Sequence, residues 1–159
     1  MKKVLKPITV AVLASVLIVG TVVAAEQAPK PEKLIQWRQS AFKVAEWSVA
    51  RIKSSLSGTY NKAEVIAAAN TLASIANSGL PSLFAPGTET GKGWHPTEVK
   101  LDTFKDRAKF IELSNNFSKE ATELAKVAAT SNDAAGIKEQ FGKVTKTCKA
   151  CHDDFKGDD

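Results

Sequence analysis

The chain has 159 residues, a length suited to one domain with one core. Its formal charge of +5 comes from 22 basic against 17 acidic residues; without Lys2, Lys3 and Lys6 the balance is 19 to 17, a net +2. The remaining Lys and Arg are interspersed with Glu and Asp and form no basic block, which argues against a nucleic-acid partner.

The N-terminus reads as a leader. Met1, Lys2, Lys3 and Lys6 make a positive start, and Ile8 to Ala25 is an almost unbroken run of small and apolar residues. Val23 and Ala25 stand at the −3 and −1 positions of a small-residue cleavage site before Glu26. This order predicts a secretory signal peptide over residues 1–25, export to the periplasm and a mature domain of residues 26–159. An uncleaved anchor is the competing reading, since the run approaches the ~18 residues of a spanning helix. Ser15, Thr21 and the Val-Ala-Ala triplet favour removal, after which no membrane segment remains.

Glycine and proline punctuate the mature region, and the stretches between them carry helical rather than alternating periodicity. A first helix runs from Pro31 to about Gly58, with an inward seam of Ile35, Arg38, Phe42, Ala45, Val49, Ile52 and Leu56 at alternating spacings of three and four. Arg38 is the member that does not suit an apolar core. A second helix, about Lys62 to Asn77, turns Val65, Ile66, Ala69, Leu72, Ala73 and Ala76 inward, with Asn61 as N-cap and Glu64 as its capping-box partner. A long loop from Gly79 to about Leu101 follows, of a length that is often functional. A third helix, about Asp102 to Ala129, places Phe110, Leu113, Phe117, Leu124 and Val127 near one side. The fourth, about Asp133 to Phe155, has the seam Ile137, Phe141, Val144, Cys148, Cys151/His152 and Phe155. The expected fold is all-α, an antiparallel four-helix bundle with a cofactor in its core.

Cys148-Lys149-Ala150-Cys151-His152 is C-x-x-C-H, the attachment pattern of c-type haem. Two thiols must add to two vinyl groups on one porphyrin edge while the adjacent imidazole reaches the iron. On a helix, positions 148, 151 and 152 share one side. Other chemistries fit less well. A thioredoxin-like pair would open a helix in a βαβ setting, a structural zinc needs about four protein ligands, and a plain disulfide leaves His152 unexplained. One covalently attached haem c, with His152 as the iron ligand, is therefore expected. For the opposite iron face, the only methionine is Met1, within the leader, and the only other histidine is His95, in a Gly-Trp-His-Pro loop. This favours a five-coordinate, high-spin haem with an apolar distal pocket.

With the bundle pattern, Trp37-Arg38-Gln39-Ser40, Leu83-Phe84, Pro86-Gly87-Thr88 and the C-x-x-C-H followed by Asp153 near the end of the last helix, the chain resembles cytochrome c′, the class II c-type cytochromes, over about Pro31 to Lys156. The resemblance implies that Arg38 and Gln39 approach the haem propionates, the competing partner for Arg38 being Glu98. It implies haem contacts from Thr97 and Glu98, and a distal side chain at Phe42, which supplies no hydrogen-bond donor. Lys156 takes the place of a basic residue beside the proximal imidazole, or is a solvated helix-end lysine. Trp37 and Phe104 replace a usual tyrosine and tryptophan. The resemblance implies binding of nitric oxide or carbon monoxide, and a homodimer in which an exposed Trp47 is a candidate anchor. Electron transfer between redox partner proteins is the rival function. Enzymatic peroxide chemistry is disfavoured, because it wants a distal acid–base group that Phe42 does not provide.

Overall fold

The computed structural model describes residues 28–157; the leader read over residues 1–25 and its cleavage site lie outside the described residues. Helix α1 spans Pro31–Ser57, α2 Lys62–Ala76, α3 Asp102–Lys105, α4 Arg107–Thr130 and α5 Ala134–Phe155, with a 3-10 turn at Leu80–Leu83. The only strand-like pairings among the described residues are two isolated bridges, Lys92 with Pro96 and Val99 with Lys156. The four long helices are those expected from periodicity.

Their ends follow local chemistry. Pro31 opens α1, where a missing N–H costs nothing, and Glu32 sits in the first turn. Asp133 accepts from the backbone N–H groups of Ala135 and Gly136 to start α5. Two expectations need correction. The helix read as continuous from Asp102 to Ala129 breaks at Asp106 (φ −99°, ψ 62°), whose carboxylate accepts from the Lys109 N–H and caps α4 instead. An aspartate is worth more as an N-cap than inside a helix. At the start of α2, Asn61 caps as expected, accepting from Glu64 N–H at 3.1 Å. The reciprocal half of the capping box is absent. The Glu64 carboxylate turns to Arg51, and the Asn61 N–H donates to Ser55 Oγ at 2.8 Å.

Helix α1 packs on α2, α2 on α4, and α4 on α5, whereas α1 and α5 form no comparable seam among the described residues. Three sides of the bundle are closed and the fourth is open. The core divides in two. One cluster is aliphatic and built partly of alanine: Ile52, Val65, Ala68, Ala69, Leu72, Ala121, Leu124, Ala128, Ile137 and Val144. The alanines let α2 and α4 approach closely. The other cluster is aromatic, formed by Phe84, Phe110, Leu113 and Phe155.

The α1 seam is more polar than its sequence suggested. Ser48 and Ser55 are buried, while Ala45, Val49 and Leu56 are only partly so. The Ser48 hydroxyl donates back to Val44 O at 2.9 Å, so its burial leaves no orphan donor. Phe42, at an inward position of that seam, is 42% exposed. An inward residue that is nonetheless exposed faces the open side of the bundle.

The segment from Thr88 to Lys100 straps this open side. At one end it lies on α1: Trp94 N–H donates to Gln39 Oε1 at 2.7 Å, Gln39 Nε2 donates to His95 O at 2.9 Å, and the Trp94 indole N–H donates to Ser40 Oγ at 2.8 Å. A Cβ on Gly93 would come within 2.5 Å of Gln39 Oε1 and 2.7 Å of the Gln36 nitrogen, so only glycine lets the backbone lie this close to the helix. At the other end Lys100 N–H donates to Phe155 O and Gly157 N–H to Glu98 O, stitching the strap to the end of α5.

Candidate functional site

The last two turns of α5 carry Cys148, Cys151 and His152. Both cysteines are free, half-buried thiols. They straddle the two halves of the core, Cys148 packing against the aliphatic cluster and Cys151 against the aromatic one. Burial pushes the Cys148 thiol up, and pushes Cys151 up to about 11, with the charges of Cys148 and Asp154 adding to the effect. Thiols held protonated in this way suit neither a thiolate metal site nor a redox-active pair, both of which need a lowered pKa. His152 is the most exposed of the three, and its pKa lies below the ordinary histidine value, first through desolvation and then through the Lys156 ammonium. A neutral imidazole is the form that ligates iron.

These residues fit a haem. Two thiols one helical turn apart and an adjacent imidazole stand on α5, beside the one side of the bundle that helix packing leaves open. On α1, the inward residue left exposed at this open side is Phe42. Its ring meets Phe84 edge-on at 6.3 Å, Phe84 meets Phe110 at 4.8 Å, and Phe110 meets Phe155 at 5.5 Å. An apolar wall thus runs from α1 across the loop and α4 to the foot of α5.

The polar residues expected around the haem are held as follows. Arg38 is 3% exposed. Its Nη1 donates to Thr88 Oγ1 at 2.8 Å and Leu83 O at 3.3 Å, and its Nη2 to Thr88 O and Thr97 Oγ1, both at 2.7 Å. These partners are neutral loop oxygens, so the competing pairing of Arg38 with Glu98 is not formed. Burial lowers the Arg38 pKa to about 10, partly offset by Glu89. Gln39 is likewise engaged with the strap, through Trp94 and His95. Thr97 faces Arg38. Glu98 faces Lys156 at 3.4 Å and His95 at 4.0 Å. Lys156, the C-cap of α5, pairs with Glu98, and its charge reaches His152.

Three contributors were not singled out for these roles from sequence. Thr88, fully buried, receives two of the Arg38 hydrogen bonds, and Phe84 links Phe42 to the aromatic cluster. Both lie in loop motifs noted in the sequence, where nothing shows their contacts. Arg107 lies outside any motif and donates to the Pro81 and Phe84 carbonyls.

Comparison with known proteins bears on this arrangement. The sequence model of the family described as cytochrome c′ matches residues 33–156. A cytochrome c′ from Rhodocyclus tenuis is 61% identical over 131 residues, which make up 82% of this chain and 98% of that protein. A solved cytochrome c′ described as having an unusual ligand-controlled dimer dissociation is similar with a TM-score of 0.79 and 38% identity, covering 83% of this chain and all of that one (100%). A ferrous variant of the Alcaligenes xylosoxidans cytochrome c′ with bound NO is similar with a TM-score of 0.72 and 26% identity, covering 84% and 100%.

Proposed function

The chain belongs to the cytochrome c′ family, whose cofactor is haem c, and from that premise we propose that it binds nitric oxide or carbon monoxide in the periplasm. Cys148 and Cys151 would hold the haem through two thioethers, and His152 would ligate its iron. When bound, the haem would supply an iron able to take a diatomic ligand. Toward that iron the chain would present the Phe42 phenyl ring, which offers no proton or hydrogen-bond donor.

The observation that carries this reading is Phe42 itself, an inward residue of α1 held against Phe84 at the open side of the bundle. Bound oxygen is polar and gains from donors, so a donor-free wall favours NO and CO over oxygen. The same lack of an acid–base group supports a binding protein rather than an enzyme. Arg38, Gln39, Thr97 and Glu98 lie on the strap side and would be the groups nearest the haem carboxylates, and the charge of Lys156 reaches His152. The NO-bound relative supports a gas ligand by analogy.

A homodimer is part of this reading. Trp37, Val44 and Trp47 on α1 are all large, apolar and exposed, Trp47 by 58%. With Ser40 they fall at spacings of three, four and three, a second seam on the outward face of the helix. The relative with ligand-controlled dimer dissociation supports assembly by analogy.

The test is the optical spectrum of the purified ferrous protein before and after NO and CO. A high-spin spectrum that shifts on adding gas is expected. A low-spin spectrum unmoved by gas would sink the reading and make electron transfer between redox partners the leading function. On the same preparation, intact mass reads the haem and a chain starting at Glu26, and sedimentation reads the dimer; a monomer mass or an uncut leader would remove those parts alone.

A further inference from the structure

The turn that carries Phe84 is gripped by two arginines from opposite sides. Arg107, at the start of α4, donates through Nη2 to Pro81 O at 2.6 Å and through Nη1 to Phe84 O at 3.4 Å, with its guanidinium over the Phe110 ring at 5.0 Å. Arg38, from α1, donates to Leu83 O and to both oxygens of Thr88, with its guanidinium over the Phe84 ring at 4.7 Å. Phe84 and Phe110 lie in contact between the two cations.

This bracket is more than a way to satisfy loop carbonyls. The Pro81 carbonyl already accepts from the Phe84 N–H at 3.2 Å, so Arg107 takes its second lone pair and locks the 3-10 turn in its closed form. The two donors of Arg107 fall on the first and last carbonyls of the Pro81–Phe84 stretch, a span that a planar fork covers and a point charge does not. The Phe84 ring so fixed is what meets the edge of Phe42. Helix α1 and α5 do not close on each other at this level, so the Phe42 ring has no packed helix opposite to hold it.

We propose that Arg107 is a positioning residue of the gas site: by gripping the Pro81 and Phe84 carbonyls it holds the Phe84 ring against Phe42 and sets how far the Phe42 ring stands over the iron face. This deepens the gas-binding reading and rests on it. Arg107 touches neither ligand nor iron; it acts through two rings.

The experiment compares the haem-loaded parent with R107Q and R107K, measuring CO association to the ferrous protein by stopped flow and amide hydrogen exchange over residues 80–88. R107K keeps the charge and loses the fork, and it remains available where R107Q folds poorly. Both variants are expected to exchange faster over 80–88 and to bind CO about tenfold faster, the effect of ~1.4 kcal/mol on a barrier. A folded variant that binds CO at the parent's rate, even with faster exchange, overturns the proposal and leaves Arg107 a loop fastener. A parent that binds no CO overturns the gas-site reading itself, and is seen before any variant is made.

Discussion

At one end of the bundle Ile52, Val65, Leu72, Leu124, Ile137 and Val144 are fully buried against one another and against four alanines from α2 and α4. At the other end the aromatic rings come from α4, α5 and the loop after α2, and the loop is held by hydrogen bonds from Arg38, Gln39 and Arg107. The first end is stabilised by area removed from water and by close packing, which are non-directional. The second depends on directional bonds to particular carbonyls. A bundle closed by apolar packing alone would leave no place for a planar cofactor. Substituting a strap and two arginines for the α1–α5 seam keeps the fold while leaving one side accessible.

Removing what joins the two ends should have the largest effect. With Cys148→Ser and Cys151→Ser combined, covalent haem is expected to be lost entirely, read by haem staining of the denatured chain. Helical circular dichroism should persist, because serine is close to cysteine in size and only Cys148, at the edge of the aliphatic cluster, touches it. Haem remaining bound after denaturation would show that these cysteines are not its attachment points. Next in size, Leu124→Ala removes a fully buried side chain of the closed end. It is expected to cost ~2–5 kcal/mol in denaturant unfolding, with the gas-bound spectrum unchanged. A shifted spectrum would mean that the two ends are not independent. Smallest, Gly93→Ala pushes the strap off α1 and should cost ~1–3 kcal/mol. Here hydrogen exchange should rise over residues 88–100 and stay at the parent's level in α2 and α4. Uniformly raised exchange would count against a strap separable from the bundle.

What the sequence showed, and what it hid, divides along the same line. The long helices and most of their buried faces followed from period and caps, because Leu72, Leu124, Ile137 and Val144 sit where a 3.6-residue repeat puts them. The C-x-x-C-H motif pointed to the attachment site because its chemistry is local. The strap was legible only as a loop. Nothing within a few residues of Arg38 indicates that it meets Thr88 and Thr97, fifty or more positions away in the chain. Arg107 follows a helix break at Asp106 that periodicity alone does not reveal. Phe42 reads as core by register, and its exposure appears only once α1 and α5 are seen to form no seam.

The same packing turns the molecule into something like a bound volume. Helices α1 and α2 form one cover and α4 and α5 the other, each folded over a short turn, and the α2–α4 contact is the spine. Cys148 and Cys151 stand on the second cover, each packed against one half of the core. The Thr88–Lys100 strap is the clasp, tied to one cover at Gln39 and to the other at Phe155, so releasing either tie would let the covers part without loosening the spine.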